Sequence, residues 1–477
     1  MFNNPIISGF YPDPTVCYIP EGDEFGNKAG YYVATSTFSY RPGVPIFYGP
    51  TLDTLTQIGN ALTTDAHCNF DGGKMSNGIY APGLRYHKGV FYMITTNTTN
   101  DGNFYVTATD PSGEWSKPHF LPDAKGVDPC LFFDGDDCWY IGQRVKDDSK
   151  YFGDCEIWIR RLNLDKHDFE GPEYIVWDGN AKNAVWPEGP HLYKRGDYYY
   201  VMIAEGGTAE NHSVCIARSK DITGPYESFR NNPIFTHRHL GRSAKTQCMG
   251  HADLVCDSKG NWSMVLLGTR PINGYAPLGR ETFAASVSWE DDWPVVNPGI
   301  GRIPDEEITR KQGPDTVDLH SDDIRILNYH TDRFGDFRGI RVTDLDYNFS
   351  TTISLTDTKS DKDFGLMYLY NDENYVRICI EKNADNLTVK MILTDDDTDY
   401  DKCTKVIPLA DEITLSMRLQ GTDLTCKCQT PDETFDTTID VRHLTSEHHH
   451  LSFIGCTMGI FSNTSVDSVK CKICNIQ

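Results

Sequence analysis

Short apolar runs recur in pairs along about the first 300 residues, and a polar turn joins the two runs of each pair. Alternating apolar and polar positions with Gly, Asp, Asn or Lys in the turn are typical of β-hairpins. The pattern predicts five such hairpins, the first with a longer acidic turn. They read "DPTVCYIPEGDEFGNKAGYYVATST", "APGLRYHKGVFYMITTN", "DPCLFFDGDDCWYIGQR", "EGPHLYKRGDYYYVMIAEG" and "HADLVCDSKGNWSMVLLGTR".

The hairpins align on one apolar position, which is occupied in turn by Val16, Leu84, Leu131, Leu192 and Leu254. The intervals between these residues are about 47 to 68 residues, near the upper range for the blades of a β-propeller. No long amphipathic helical pattern interrupts them. The simplest architecture is therefore an all-β chain that begins with a five-bladed β-propeller over residues 1–305.

Three positions before the aligned apolar residue the hairpins carry Asp13, Ala81, Asp128, Gly189 and His251, and Glu188 directly precedes Gly189. In a propeller the innermost strand of every blade starts or ends near the central channel. We therefore expect Asp13, Asp128, Glu188 and His251 to converge there. Gathered carboxylates raise each other's pKa, and burial adds to this, so the joint pattern favours a functional site over four unrelated turn residues.

Asp13 stands between Pro12 and Pro14 in "GFYPDPTVCY". Proline fixes its own φ and disfavours helical geometry in the residue before it. We expect Asp13 to be held rigidly in an extended conformation.

The hairpin pattern stops near a stretch rich in Pro, Gly and charge, "VVNPGIGRIPDEEITRKQGPDTVDLH", which is typical of a linker. We place the linker at 306–325 and a second domain at 326–477. There, short alternating runs separated by turn residues predict a β-sandwich. The runs include "FRGIRVTDLDYNFSTTISLTD", "DFGLMYLYNDENYVRICIEKN", "LTVKMILTDDD", "EITLSMRLQG", "LTCKCQT" and "MGIFSNTS".

A net charge of −24 narrows the range of partners. Phosphate backbones and anionic membrane surfaces would repel this chain, which argues against nucleic acid and membrane as partners. A neutral sugar carries no such penalty. The N-terminus shows no basic stretch followed by an apolar run, and no segment is apolar enough to cross a bilayer, so we expect a cytoplasmic protein.

The fifteen cysteines are odd in number and scattered, and many sit inside apolar runs. They are interpreted as small buried hydrophobic residues in a reducing compartment. Two close pairs, Cys426 with Cys428 and Cys471 with Cys474, leave a zinc site open. The one-residue gap of the first pair departs from the usual zinc spacing.

Two carboxylates on either side of a sugar ring can hydrolyse a glycosidic bond. One is protonated and gives its proton to the leaving oxygen, and the other activates water or attacks directly. A third carboxylate near the acid can keep the acid protonated by charge repulsion. Three converging carboxylates therefore suit glycoside hydrolysis.

Five motifs, in order, resemble family 43 glycoside hydrolases of the β-xylosidase and α-L-arabinofuranosidase branch. They are "FYPDPTV", "GVDPCLFFD", "EGPHLYKRGDYYYVMIAEGG", "GHADLV" and "LGRETF" followed by "VSWEDDWPVV". The resemblance covers nearly the whole chain. It implies an inverting five-bladed propeller with Asp13 as general base, Glu188 as general acid and Asp128 as the residue that orients the acid and tunes its pKa. It also implies a concanavalin A-like fold for the C-terminal sandwich.

The resemblance also implies pocket residues. Arg280 matches an arginine at the base of the sugar pocket, where its donors can hold hydroxyl groups and support Asp128; the alternative is a structural ion pair with Glu281 or a nearby acid. Phe38, Tyr80 and Trp186 are candidates for stacking on sugar rings, against the alternative of packing in the blade core. His251 lies under the site by resemblance. A metal ligand role for His251 stays open, with Ca2+ near the propeller axis as a candidate that the chemistry does not require.

The predicted activity is the exo-acting release of terminal α-L-arabinofuranosyl or β-D-xylosyl residues from xylo- or arabino-oligosaccharides. An endo-arabinanase and a sugar-binding propeller without catalysis are the alternatives. A retaining enzyme acting on fructosides fits less well, because its Asn-Asp-Pro signature is absent. The last segment, "FIGCTMGIFSNTSVDSVKCKICNIQ", is shorter than the family pattern, which leaves the aglycone preference open. The resemblance also leaves a homo-oligomer open.

Overall fold

The computed structural model describes residues 2–309, 315–448 and 452–477. Within these ranges the chain folds into β-strands and three short 3₁₀ helices, Leu52–Thr54, Asp305–Glu307 and Val466–Ser468. Contacts divide it into two units. The first comprises Met1–Ile7, Tyr11–Thr269 and Glu281–Thr309, and the second comprises Ser8–Phe10, Arg270–Arg280 and Arg310–Gln477.

The first unit is a five-bladed β-propeller, as the hairpin pattern predicts. Its described residues form five four-stranded antiparallel sheets, each built from consecutive strands. The strands are β1 Thr15–Ile19, β2 Gly30–Ala34, β3 Gly43–Gly49, β4 Thr56–Leu62, β5 Gly83–His87, β6 Val90–Asn97, β7 Gly102–Ala108, β8 His119–Phe120, β9 Val127–Asp134, β10 Asp137–Val145, β11 Cys155–Asn163, β12 Asp168–Trp177, β13 Glu188–Arg195, β14 Tyr198–Glu205, β15 Ser213–Ser219, β16 Glu227–Ser228, β17 Gln247–Cys256, β18 Trp262–Thr269, β19 Glu281–Glu290 and β20 Trp293–Val296.

The five predicted hairpins are the two inner strands of each blade. The first strands of the blades, β1, β5, β9, β13 and β17, contact one another in that order, and β17 contacts β1, so the ring closes. The N-terminal segment is tied into the last blade, because Asn4 bridges Ile308 and Ile7 bridges Thr282. The start of every blade therefore faces a common axis.

Hydrophobic clusters fill the gaps between neighbouring blades throughout the described part of this unit. Successive residues of a strand point to opposite faces of its sheet. On β1, Val16 packs in the cluster shared with the fifth blade, while Cys17 packs in the cluster shared with the second. Both faces of a blade are buried, which explains why the inner runs are apolar almost throughout.

The second unit contains the predicted C-terminal β-sandwich. Its described strands form two seven-stranded sheets, one ordered β21-β34-β24-β29-β30-β31 with β33 also on β24, and the other β22-β23-β32-β25-β26-β27-β28. The strands are β21 Thr316–Val317, β22 Leu327–Thr331, β23 Gly335–Arg341, β24 Asp346–Ser354, β25 Phe364–Asn371, β26 Asn374–Lys382, β27 Asn386–Asp395, β28 Thr398–Pro408, β29 Glu412–Gln420, β30 Asp423–Gln429, β31 Thr434–Asp440, β32 Thr457–Ser462, β33 Lys470–Cys471 and β34 Cys474–Ile476.

One apolar core lies between the two sheets of the sandwich. Phe349 and Leu415 enter it from one sheet, and Leu366 and Ile378 enter it from the other. β24 alternates buried and half-buried residues along its whole length, as a strand with one face on a core should.

All fifteen cysteines lie within the described residues, and all are free thiols. Cys426 and Cys428 are buried in the sandwich core. The described residues contain no group of three or more His, Cys, Asp or Glu side chains placed to hold a metal ion, so the two cysteine pairs do not form the zinc site left open above. Across the same residues, no helix has the length and apolarity needed to cross a membrane.

Candidate active site

The aligned hairpin positions share an unusual backbone conformation. Asp13, Asp128 and Gly189 each have a φ of 55°, and His251 has a φ of 45°. This left-handed region is uncommon for residues other than glycine. The extra residue of a β-bulge falls at this point in β9, β13 and β17. Bulges re-aim side chains at the ends of strands, so the same device turns these residues out of the sheet in several blades.

Asp13 is 5% exposed and lies just before β1. The Ser36 hydroxyl donates to its Oδ2 at 2.5 Å, and Nδ1 of His251 lies 3.8 Å from its Oδ1. The expectation of an extended conformation at Asp13 is wrong, because its φ is positive. The backbone amide of Ser36 donates to the Pro12 carbonyl at 3.2 Å, and this bond with the two side-chain contacts fixes the carboxylate despite the strained backbone.

Asp128 is 7% exposed and is joined to the strand that carries Glu188. Its Oδ2 accepts a hydrogen bond from the backbone amide of Gly189 at 3.2 Å. Glu188 is the first residue of β13 and is half-buried. The bond therefore holds Asp128 against the residue that follows Glu188 directly.

Gly189 also separates the two sides of the site. A Cβ on Gly189 would lie 2.8 Å from Cε1 of His251, so only glycine leaves room for that ring. A continuous line of contacts thus runs from Asp13 through His251 and Gly189 to Asp128. The structure therefore brings together Asp13, Asp128, Gly189 and His251, which the alignment placed at equivalent positions of four blades.

Glu188 and Asp128 act on a common neighbour. Burial raises the pKa of the Cys155 thiol to about 12, and the nearby negative charges of Glu188, Asp154 and Asp128 add to this shift. Cys155 opens β11 of the third blade. Both carboxyl groups therefore lie near the start of this strand.

Trp186 lies two residues before Glu188 and has a φ of 51°. Its backbone amide donates to the Gly153 carbonyl at 2.8 Å, and its ring meets Phe152 edge to face with centroids 5.0 Å apart. Phe152 is 85% exposed. Phe152 could not be predicted from the sequence, because nothing in its motif distinguishes it from other loop aromatics.

Phe38 and Tyr80 are neighbours, with ring centroids 5.3 Å apart. Phe38 is only 2% exposed, whereas Tyr80 is half-buried. Of the two, Tyr80 presents more ring surface for stacking.

Arg280 belongs to the second unit by its contacts. Its Nη2 donates to the Phe453 carbonyl at 2.7 Å, and its guanidinium carbon lies 5.7 Å from the centroid of the Phe453 ring. The same segment is anchored again where the backbone amide of Ala276 donates to Oε2 of Glu447 at 3.1 Å.

A buried polar network that was not predicted from the sequence runs across the inner strands. Asp253 is fully buried and accepts two hydrogen bonds from Arg85, at 2.8 Å and 3.1 Å. Thr15 and Tyr193 donate to the same carboxylate at 2.8 Å and 2.6 Å. Burial alone would raise the pKa of Asp253, but the Arg85 guanidinium and His191 hold it well below its usual value.

His191 joins the network on its other side. Its Nδ1 accepts from Nη2 of Arg85 at 3.0 Å and lies 3.3 Å from Sγ of Cys130. Burial lowers the pKa of His191 to about 3, so the ring is neutral at physiological pH. All five inner strands in the described residues contribute to this network.

The signal for the network was present in the hairpin alignment. Thr15, Cys130, His191 and Asp253 each lie two residues after an aligned site position. Because strand side chains alternate with a period of two, these residues form the next level down the same channel.

For calcium, the fit of the residues is incomplete. His251 has the Asp13 carboxylate nearby, yet the described residues hold no converging group of three His, Cys, Asp or Glu side chains. The calcium hypothesis stays a prediction.

Buried carboxylates at the start of the inner strands of a five-bladed propeller have the chemistry that glycoside hydrolysis needs. The model of Glycosyl hydrolases family 43 matches residues 2–294, and that of the Beta xylosidase C-terminal Concanavalin A-like domain matches residues 308–471. The chain belongs to glycosyl hydrolase family 43. The predicted family, fold class and enzyme class are confirmed.

Relatives resemble the chain over most of its length. A xylosidase/arabinosidase of Butyrivibrio fibrisolvens is 39% identical over 97% of this chain and 96% of its own. A non-reducing end alpha-L-arabinofuranosidase of Bacteroides ovatus is 32% identical over 89% of this chain and 84% of its own. These relatives support the prediction of an exo-acting glycoside hydrolase.

Solved structures agree with the fold over the whole chain. A xylan beta-1,4-xylosidase from Bacillus halodurans has a TM-score of 0.89 at 26% identity, covering 100% of both chains. A xyloglucan-locus family 43 protein of Bacteroides ovatus has a TM-score of 0.85 at 29% identity, covering 100% of this chain and 99% of that one.

Proposed function

We propose that this enzyme removes terminal α-L-arabinofuranosyl and β-D-xylosyl residues from xylo- and arabino-oligosaccharides with inversion at the anomeric carbon. Asp13 is the general base, Glu188 the general acid and Asp128 the residue that orients Glu188. The relatives named xylosidase/arabinosidase and arabinofuranosidase support this substrate class. The free thiols throughout the chain support action in a reducing cytoplasm, on imported oligosaccharides.

In this mechanism Asp13 removes a proton from a water molecule as that water attacks the anomeric carbon. Glu188 gives its proton to the glycosidic oxygen on the opposite face, and the bond between that oxygen and the anomeric carbon breaks. The free sugar leaves with inverted configuration. Asp13 leaves protonated and Glu188 ionised, and exchange with solvent restores both. We expect the two carboxyl groups to be about 6.5–9.5 Å apart, the spacing that leaves room for the water.

One observation carries the proposal: the line of contacts from Asp13 through His251 and Gly189 to Asp128. It links the proposed base to the residue that borders the proposed acid. A base must aim one water at one carbon, and a misplacement of about 1 Å can cost on the order of 100-fold in rate. Inversion by a single attack of water requires the base to be held at a fixed distance from the acid in this way.

Aromatic side chains supply the surfaces for sugar rings. Tyr80 offers a partly exposed ring on the side of the first two blades. Trp186 and the exposed Phe152 stand beside Glu188, where the departing part of the substrate would lie. We assign Tyr80 to the terminal sugar and the Trp186–Phe152 pair to the leaving group. Arg280 is proposed to hold sugar hydroxyls.

The proposal is tested with 4-nitrophenyl β-D-xylopyranoside and 4-nitrophenyl α-L-arabinofuranoside, comparing kcat/KM. We expect turnover of both. Asp13→Ala should lower kcat by about 100- to 10,000-fold on each substrate while sugar binding persists. NMR of the first-formed product should show the anomer opposite to that of the substrate.

Asp197→Ala is the matched control, since Asp197 is an exposed aspartate in the turn after β13. Its activity should equal that of the unaltered enzyme. Cleavage of neither aryl glycoside, with mid-chain cutting of arabinan, would replace the proposal by an endo-arabinanase. Sugar binding without any turnover would identify a non-catalytic binding protein, and retained configuration would overturn the assigned mechanism.

A further inference from the structure

Two cysteines three residues apart lie near the end of the second unit. Cys471 ends β33 and Cys474 begins β34, and the exposed residues Lys472 and Ile473 form the connection between them. Both strands pair with β24, where Cys471 is opposite Ile353. The short connection therefore places both thiols along the same strand.

Neighbouring groups fix this connection and approach one of its thiols. The Thr351 hydroxyl donates to the Lys472 carbonyl at 2.8 Å, which ties the connection to β24. Nε2 of His320 lies 3.4 Å from Sγ of Cys471, and His320 is exposed. Cys471 is half-buried and Cys474 is buried. The Cys471 thiol is thus accessible to reagents, and the Cys474 thiol is not.

The charges around the pair favour a thiolate at Cys471. The hydrogen bond from Cys474, and then His320, hold the pKa of Cys471 well below its usual range, while the interaction with Cys471 raises the pKa of Cys474. Other charged groups also face the pair: Lys470 and Arg338 act on His320, and Asp318 acts on Cys474. Lys472 is engaged with Glu412 at 2.8 Å.

The other cysteines of the sandwich core behave in the opposite way. Burial raises the pKa of Cys426 and of Cys428 to about 12. Thiolates are the reactive form of cysteine, so these core cysteines are inert. In the described residues the pair and His320 do not belong to a group placed to hold a metal ion.

We propose that Cys471 and Cys474 form a reversible dithiol–disulfide pair that reacts with low-molecular-weight disulfides, with Cys471 as the attacking thiol and His320 as its neighbour. The spacing of two residues between the cysteines and the contrast between an accessible and a buried thiol are what such exchange requires. The pair is a modification site separate from the glycosidase chemistry and does not rest on the proposed substrate.

The reaction has two steps. The Cys471 thiolate attacks one sulfur of the disulfide, which breaks the sulfur–sulfur bond and releases one thiolate of the reagent, leaving a mixed disulfide on Cys471. Cys474 then loses its proton to solvent and attacks Sγ of Cys471, releasing the second reagent thiolate. The two protons of the cysteines end on the two reagent thiols, so the cysteines lose two electrons and the reagent gains them.

The first test needs no variant. A brief pulse of iodoacetamide at pH 6 on the full chain is quenched, and alkylation of each cysteine is measured by mass spectrometry. We expect Cys471 to react at least about tenfold faster than Cys403, a half-buried cysteine of the same unit, because the thiolate fraction sets the rate. His320→Asn should reduce this ratio. Equal rates at Cys471 and Cys403 would overturn the proposal.

The second test uses glutathione disulfide on the full chain. A protease that keeps both cysteines on one peptide should yield that peptide lighter by two hydrogens, and dithiothreitol should restore it. Cys474→Ser should trap glutathione on Cys471, whereas Cys471→Ser should capture none at Cys474. A disulfide formed elsewhere with this peptide unchanged, or capture at Cys474 alone, would refute the pairing.

Discussion

At the scale of single residues, Asp13 keeps a costly backbone conformation because its surroundings leave it no alternative. Its φ of 55° is strained for an aspartate. The hydroxyl of Ser36 and the ring of His251 both contact its carboxylate. Strain of this kind persists where it orients a reacting group, which is the role proposed for Asp13.

Removing the Ser36 hydroxyl should weaken catalysis without abolishing it. Ser36→Ala deletes the hydrogen bond at 2.5 Å to Asp13. A hydrogen bond to a charged group contributes about 1.5–3 kcal/mol, so kcat should fall by roughly 10- to 100-fold with KM little changed. Steady-state kinetics on the two aryl glycosides measure this.

Thr35→Val provides the matched control for Ser36→Ala. The adjacent Thr35 hydroxyl is buried and has no hydrogen-bond partner in the described residues, so its removal should leave kcat unchanged. Equal loss in both variants would mean that Ser36 acts only through packing of the segment.

Gly189→Ala should disrupt the site from its centre. The new Cβ would lie 2.8 Å from the His251 ring and would push it from its position beside Asp13. The shift would also disturb the bond from the Gly189 amide to Asp128. We expect kcat/KM to fall by at least about 100-fold. The measurement is activity together with urea unfolding.

Gly196→Ala separates backbone strain from the clash. Gly196 has a φ of 57°, almost that of Gly189, but nothing lies within 4 Å of its would-be Cβ. It should lose about 1–2 kcal/mol of stability and keep its activity. If the two alanine variants were equally active, the contact between Gly189 and His251 would have no catalytic importance.

At the scale of elements, the propeller is closed by polar as well as apolar contacts. Arg85, Asp253 and His191 come from three different blades and are bonded to one another beneath the site. A charged pair this deeply buried costs desolvation, which its hydrogen bonds must offset. Its position fixes the inner strands at the level directly below the carboxylates.

His191 should make stability depend on pH. Its pKa falls from 6.5 in the unfolded chain to about 3 in the fold, so between these values the unfolded chain binds more protons. Stability therefore rises with pH across this window and is lost as pH falls from about 6.5 toward 3. The slope from one such group is at most about 1.4 kcal/mol per pH unit.

Urea unfolding at several pH values between 7 and 4 measures this slope. In the unaltered enzyme Nδ1 of His191 accepts from Arg85 at 3.0 Å. In His191→Asn the amide oxygen can take over this acceptor role, but the amide binds no proton. The variant should therefore show a shallower slope, with circular dichroism at pH 7 as the control for folding. An unchanged slope would show that His191 is not the titrating group.

The inner hairpins could be read from the sequence, whereas several other elements could not. Apolar pairs of runs with short polar turns mark the two inner strands of every blade because both of their faces are buried. β28 was not predicted, because it is a polar edge strand that is exposed at nearly every residue. The sandwich strands with one buried face, such as β24, were found by their alternation.

The candidate site was predictable only as a set of positions. The alignment brought Asp13, Asp128 and His251 to one level because a propeller repeats its geometry. The left-handed backbone and the contact of Gly189 with His251 depend on bulges, which the hydrophobic pattern does not encode. Phe152 was missed because its importance comes from its neighbour Trp186 in space.

At the scale of the whole molecule, the division into units is not continuous along the chain. Residues 270–280 lie between β18 and β19 in sequence, yet they make their contacts with the second unit. The domains predicted from the sequence, 1–305, 306–325 and 326–477, are each continuous along the chain and therefore cannot describe this arrangement. Those boundaries stay a prediction.

Because residues 270–280 belong to the second unit, we expect the propeller strands alone to make a poor enzyme. A chain ending at residue 309 lacks Phe453, whose carbonyl accepts from Arg280 at 2.7 Å, and Glu447, which holds the amide of Ala276. Residues 270–280 would lose the contacts that order them, and with them the proposed sugar contact of Arg280. We expect kcat/KM on both aryl glycosides to fall by on the order of 100-fold, mostly through KM.

Glu447→Ala in the full chain is a milder form of the same test, because it removes only one of the contacts that hold residues 270–280. It should raise KM by a few-fold and leave kcat nearly unchanged, since the proposed acid and base are untouched. Circular dichroism of the truncated chain must show folded β-structure for the comparison to hold. A folded truncated chain with full activity would mean that the sandwich stabilises nothing that the reaction uses and that Arg280 needs no support from Phe453.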